Sequence, residues 1–322
     1  MNRREVMKKI FVSICLIFFA LVLFSSQAYP WGSLTHAYIA DHIGKKWGLK
    51  NVNEIYGAMV PDLFNYVFGL DPYLDNYLRG YTHGIPAANG NPAVESFMDV
   101  WYSARWWGYE KALAYGFISH NDVWAADFTA HGSACLYPGQ GYIITKAEIL
   151  NGPLVAYLES LGINIPPEIA MELSHNLVEG AGDIVIRRYD ASLGQKVITS
   201  SLFRSPACPD LLVRAIGEYY RDMVTNAEKE FRKTMILYGA AFLPQSEYEI
   251  VLTLSQQMAE LGRAYLASLG FELPISDEEL VGLIFSFMNQ AIMLIDGDYM
   301  AEIEATILKI KIQFWSRWIF YW

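Results

Sequence analysis

The chain has 322 residues, of which 53% are hydrophobic and 15% aromatic, and a formal net charge of −10. That length and apolar content suffice for one large buried core and exclude a disordered, highly charged segment. The acid excess has the wrong sign for a protein that grips nucleic acid through its phosphates, so nucleic acid is an unlikely partner.

The chain opens like an export signal. Arg3, Arg4, Lys8 and Lys9 precede an apolar run from Ile10 to Phe24, and Ser26-Gln27-Ala28 places small residues where a signal peptidase cuts. The run is too short for a comfortable membrane span, and no later stretch reads as one. Residues 1–28 are therefore expected to be a cleaved signal peptide. The mature protein would be exported to a periplasmic or extracellular space, with membrane association left open. Without residues 1–28, 20 Lys+Arg stand against 33 Asp+Glu, a net charge of −13. Cys15 leaves with the signal; Cys135 and Cys208 read equally well as one disulfide or as two buried thiols. No repeat or linker divides residues 29–322, which are read as one domain.

Helical spacing runs from Leu34 to Trp47, with Gly48 as the stop. Val60 to Gly84 reads as short helices broken by Gly and Pro, with Asp62 just after Pro61. Ile85 to Val94 reads as a loop. A long helical pattern from Glu95 to His131, broken near Trp107-Gly108, leads to a Gly-rich loop from Gly132 to Tyr142. Helices follow over Lys146–Leu161 and Pro167–Tyr189, then a mixed segment from Gln195 to Pro209. Further helices are expected over Asp210–Tyr238, over Gln245–Leu269 and from Asp277 to the C-terminus. Alternating strands with hairpin signals are missing, so the expected fold class is all-α, a single helical domain. The terminal ILKIKIQFWSRWIFYW reads as a helix packed on the core or, alternatively, as a segment at a membrane surface.

The stretch GFISHNDVWAADFTAHG, from Gly116, carries His120, Asp127 and His131. At about 100° per residue these three fall within roughly 20° of one helical stripe, whereas Asp122 lies about 200° from His120. Side chains stacked this way converge, as nitrogen and oxygen metal ligands must. Alone, the stretch is equally well an amphipathic helix with histidines at its boundary. His175 and Glu179 form a second i, i+4 pair; alone, such a pair is commonly structural. His36 in WGSLTH and His83 in YTHG complete a set of five among six histidines, leaving His42 without a role. Imidazole and carboxylate ligands suit zinc at an open catalytic site.

Taken in order from Trp31 to Glu179, the pieces WGSLTH, VPD, THG, H-x6-D-x3-H and H-x3-E resemble the zinc-dependent phospholipase C family. Its fold is shared with the single-strand-specific zinc nucleases of fungi and plants. The resemblance implies two or three zinc ions. Asp62, His83, His120 and Asp127 would hold one; His131, His175 and Glu179 a second. His36, Asp127 and the backbone amine and carbonyl of Trp31 would hold a third, with Asp127 as the bridge. Asp183, one turn past Glu179, is placed to orient a ligand.

Two departures from the pattern stand out. Ala28 is followed by Tyr29-Pro30, so the Trp31 amine is free only if these are trimmed. His120 and Asp127 are seven residues apart rather than the usual four. Leu63 and Gly80 stand where choline-preferring members carry aromatic residues. The implied reaction is attack of zinc-bound hydroxide on the glycerol-side phosphodiester of a phospholipid at a membrane surface, with Asp62 holding or deprotonating the nucleophile. The alternatives are a zinc nuclease, which usually has Asp where Glu179 stands, and a secreted metal-binding protein without catalysis.

Overall fold

Apolar residues recurring three and four apart give each helix one buried stripe, and the structure is built from such helices throughout. The computed structural model describes residues 32–66, 72–85, 94–268 and 274–321. Among these no strand forms; the one extended pairing is an isolated bridge between Ile85 and Val94. The fold is all-α, as expected. The expected signal peptide, Trp31 and the interior of the Ile85 to Val94 loop lie outside the described residues.

Helices α1 (Ser33–Ile43) and α2 (Gly48–Met59) lead into a tight 3-10 segment (Val60–Tyr66), then α3 (Pro72–His83), α4 (Met98–Ser103) and α5 (Glu110–Phe117). After a π-helical turn (Phe128–Gly132) come α6 (Tyr142–Ser160), α7 (Pro167–Tyr189), α8 (Leu193–Phe203), α9 (Cys208–Ile216) and α10 (Arg221–Ala241). The chain closes with α11 (Glu247–Ser268), α12 (Asp277–Ile295) and α13 (Tyr299–Ser316).

Several expected boundaries shift, mostly at glycine. The first helix stops at Gly44, and Gly48 (φ +79°) opens α2 instead of ending α1. The expected break near Trp107-Gly108 is found, with Gly108 (φ +78°) between α4 and α5, whereas Gly217 (φ +129°) divides the expected Asp210–Tyr238 helix into α9 and α10. A side chain is strained in that backbone region, so glycine marks the breaks. The segment from Gln195 to Pro209, expected to be mixed, is largely helix α8. The chain from Asp277 onward is two helices with Asp296-Gly297-Asp298 between them.

α7 is the central element and packs against α1, α6 and α12. Its Gly180-Ala181-Gly182 run makes close approach possible. A Cβ on Gly180 would meet Met288 at 2.9 Å, and one on Gly182 would meet the Tyr299 hydroxyl at 2.3 Å. α2 and α5 cross as tightly: a Cβ on Gly57 would lie 2.1 Å from the Leu113 carbonyl oxygen, and one on Gly116 2.0 Å from that of Glu54.

α12 is long and apolar enough to cross a membrane, contrary to the expectation that no later stretch qualifies. One face of it, with Leu283, Phe287, Met288, Ala291 and Ile295, is buried where the helix packs against α7 and α11, and 39% of its apolar window is buried in all. The C-terminal segment is likewise packed: Ile303, Ile310, Phe314, Ile319 and Tyr321 are buried, while Ile312, Trp315 and Trp318 face outward. Cys135 and Cys208 are both free thiols.

Candidate metal centre

His120 and Asp127 are brought together by a device the helical wheel does not describe. α5 ends at Phe117, and Asn121 then turns the chain by accepting the amides of Val123 and Trp124, both at 2.9 Å. Beyond that turn the amides of Ala126, Asp127 and Phe128 bond to the carbonyls of Ser119, His120 and Asn121. Each amide thus reaches seven residues back where an α-helix reaches four. Three residues are extruded, and the ladder closes as though they were absent. The expectation of one continuous helix is corrected, but the face it assigned to His120 and Asp127 is recovered.

Four ligand atoms converge there. His120 Nε2 lies 3.1 Å from His83 Nε2, 2.8 Å from Asp127 Oδ2 and 3.6 Å from Asp62 Oδ1. His83 Nε2 lies 3.2 Å from Asp62 Oδ1 and 3.8 Å from Asp127 Oδ2. Atoms bound at about 2.0–2.1 Å around a tetrahedral ion stand roughly 3.3–3.4 Å apart, the middle of this range. The other ring nitrogens are committed: His120 Nδ1 to the Ala58 carbonyl (2.7 Å), His83 Nδ1 to the Arg79 carbonyl (3.1 Å). That arrangement fixes the tautomer that leaves Nε2 free for a metal.

The remaining residues extend the cluster in two directions. Asp127 turns its other oxygen to His36, 3.3 Å from Nε2, so its carboxylate faces two histidine sets. His36 stacks on His120 with ring centroids 3.9 Å apart. On the other side His131, His175 and Glu179 form a separate group, with 2.8 Å between His175 Nε2 and Glu179 Oε1. Three groups could thus hold metal ions: His36 with Asp62 and His120, His83 with His120 and Asp127, which share His120, and, separately, His131 with His175 and Glu179. Every expected ligand side chain among the described residues is in one of them. Trp31 lies outside the described residues.

The donor set fits a cation. Both nitrogens of His36, both oxygens of Asp127, His175 Nε2 and Glu179 Oε1 are buried without a hydrogen bond. Orphaned polar atoms are costly to bury, and here they are aimed at one another without hydrogen-bond geometry, as ligands of a common ion are. Electrostatics agree. Burial raises the Glu179 pKa well above its ordinary value, helped by the charges of Asp62, Glu172, Asp183 and Asp127. Burial, then His131, pushes His175 well below its own, and burial, then His120, lowers His36. Burial opposes the charge of Asp127, yet His120 and His36 keep its pKa low. Burial likewise opposes the charge of His120, yet Asp127 and Asp62 raise its pKa well above the ordinary value; buried acids that draw a proton onto a buried imidazole call for positive charge, which a metal ion supplies.

Two supporting acids were missed or underused in the sequence reading. Asp122, set aside as lying on the far side, accepts from His131 Nδ1 at 2.8 Å, while its own amide bonds to the His83 carbonyl. It sits in the extruded loop, so periodicity could not place it. Asp183 accepts from the amides of Leu34 and Thr35, both at 2.8 Å, from the Thr35 hydroxyl at 2.7 Å and from Tyr238 at 2.7 Å. It thus caps α1 and, through that helix, places His36. A Cβ on Gly32 would fall 2.5 Å from this carboxylate, which gives the WGSLTH motif a steric reason for its glycine. His42 stacks on Tyr38 and bonds to its carbonyl, away from the cluster. Searched against family models, curated proteins and solved structures, the chain matches none of them.

Proposed function

We propose that the protein is a zinc-dependent phosphodiesterase, exported and acting on phospholipid at a membrane surface in the manner of the zinc-dependent phospholipases C it resembles. The observation that carries this reading is the gathering of His36, Asp62, His83, His120, Asp127, His131, His175 and Glu179 into three largely buried groups, two of them sharing His120, with orphaned ligand atoms. Their nitrogen and oxygen donors suit two or three zinc ions, with Asp127 as the bridge. Zinc held there would lower the pKa of water towards neutrality and neutralise phosphoryl oxygens.

The chain's own residues supply orientation. Asp62 Oδ1 accepts from Asn65 Nδ2 at 2.8 Å, and Asn65 in turn accepts from Arg79, which fixes the carboxylate plane. Asp62 also lines the large cavity that opens beside the cluster, as does Glu179. It is therefore the carboxylate we assign to hold the attacking water or take its proton. The phosphodiester would be cleaved on its glycerol side, with the diacylglycerol alcohol as leaving group.

One paired assay tests this. Purified protein loaded with zinc is offered mixed phospholipid vesicles and single-stranded DNA, each with and without chelator. Release of phosphorylated head group that chelator abolishes is expected. Chelator-sensitive nucleotide release without head group would establish the nuclease reading instead, and zinc binding without turnover of either a metal-binding protein. Metal analysis comes first: His120→Ala and His175→Ala should each lower zinc content and thermal stability, and wild-type protein that holds no zinc sinks the proposal.

A further inference from the structure

The cavity beside the cluster has a volume of about 540 Å³, within the range of small-molecule sites. Asp62, Glu172 and Glu179 lie in its wall, together with Leu154 from α6, Leu237 from α10, Leu254 and Met258 from α11 and Leu283 and Ile284 from α12. Two carboxylates that belong to the metal groups, Asp62 and Glu179, therefore share one space with an aliphatic lining contributed by α6, α7, α10, α11 and α12. Close packing normally fills such a space; Asn176, Thr234 and Gln257 add polar groups to the wall, but its leucines offer water no partner.

We infer that this cavity is a chain-binding subsite: it receives a long hydrocarbon chain of the phosphate ester whose phosphoryl group lies at the metal groups. The inference rests on the phosphodiesterase reading above and adds where the apolar part of the substrate goes. Asp62 and Glu179 stand at the junction, so an ester held by its phosphate at the metal groups has the leucine-lined interior as its neighbour. A nucleotide there would press sugar and base polar groups against Leu254, Leu283 and Ile284 without hydrogen-bond partners, which is unfavourable. A methylene chain meets no such penalty and leaves water on entering. The substrate would thus be drawn partly out of its lipid aggregate into the protein, and selection would act on chain length as well as head group.

The test uses the full zinc-loaded protein and two probes, butyl phosphate and dodecyl phosphate, titrated calorimetrically below the micelle concentration. Each methylene moved out of water favours binding by about fourfold, so the dodecyl ester is expected to bind at least about 100-fold more tightly than the butyl ester. Filling the cavity with Met258→Trp or Leu283→Phe should cut that ratio by about tenfold or more, since added volume in a packed interior displaces the chain. Zinc content, measured on each variant, reports that the metal groups still form. Butyl phosphate that binds while the ratio stays near one overturns the chain-binding subsite and leaves the phosphodiesterase reading standing. A large ratio unchanged by both variants also overturns it. Dodecanol is titrated into metal-free protein as a third arm. Binding of the alcohol that both variants abolish, with neither phosphate bound by zinc-loaded protein, overturns the phosphodiesterase reading and with it the inference.

Discussion

Asp122 sits on the wrong side of the helical wheel, yet its carboxylate holds the ring of His131 at 2.8 Å. Acceptors of this kind orient a metal-bound imidazole, and their loss typically weakens metal affinity about 10–100-fold. Asp122→Ala is therefore expected to weaken zinc binding by roughly that factor, whereas Asp122→Asn, which retains an acceptor oxygen, should keep most of it. Competition with a chelating dye measures both; equal affinities in wild type and Asp122→Ala would show that the contact does not support the ligand. Asp183 acts at one remove, through the first turn of α1, and its effect on His36 passes along a helix instead of a hydrogen bond to the ring. Spacing pointed to Asp183 as a supporting acid but not to its hold on α1, and it gave no role to Asp122. Both roles depend on which chain segments meet.

At the scale of elements, the crossing of α2 and α5 decides where His120 stands. The Ala58 carbonyl that fixes His120 Nδ1 belongs to α2, and it can reach because Gly57 and Gly116 leave no side chain between the helices. Gly116→Ala would set a Cβ 2.0 Å from the Glu54 carbonyl oxygen, a backbone atom that cannot turn aside. Overpacking of this kind costs roughly 1–3 kcal/mol or more. The expected outcome is a lower melting temperature together with weaker zinc binding, because separation of the helices withdraws the Ala58 acceptor. A variant that melts lower with unchanged zinc affinity would show that this crossing supports the fold without setting the ligand. The helices themselves were readable: Pro167–Tyr189 is found as expected, and α6 begins one turn before its expected start. The break at Gly108 was readable too, whereas at Gly217 periodicity carried across and merged α9 with α10, because the apolar stripe continues on both sides.

Across the whole molecule, a buried carboxyl away from the metal groups gives stability a pH dependence. Glu54 is fully buried as a residue, and burial pushes its pKa up to about 7 from an ordinary 4.5. A group whose pKa is raised by folding favours the folded state fully below the unfolded value and loses that contribution as pH rises through the folded one. Wild-type stability should therefore fall between about pH 5 and about pH 8, by on the order of 2–3 kcal/mol from this group. Glu54→Gln keeps an acceptor for the Lys45 amide, bonded at 2.7 Å, and should flatten that part of the profile. Denaturant melts across the range check it. Parallel profiles for the two proteins would mean that Glu54 is charged in the folded state throughout.

The sequence by itself determined the all-α class and the types of residue available for a metal, because helix periodicity and the imidazole and carboxylate inventory are local properties. It also placed His175 and Glu179 on one face, since four residues is one turn of a helix that does continue through them. Only the tertiary structure decided how His36, Asp62, His83 and His120 meet, because they lie on four separate segments whose approach is set by packing. It likewise decided that residues 122–124 leave the helical path, that Asp122 supports His131 and Asp183 caps α1, and that a leucine-lined cavity adjoins the carboxylates. Extrusion of a loop leaves no mark on hydrophobic spacing, and a cavity is a property of what surrounds it.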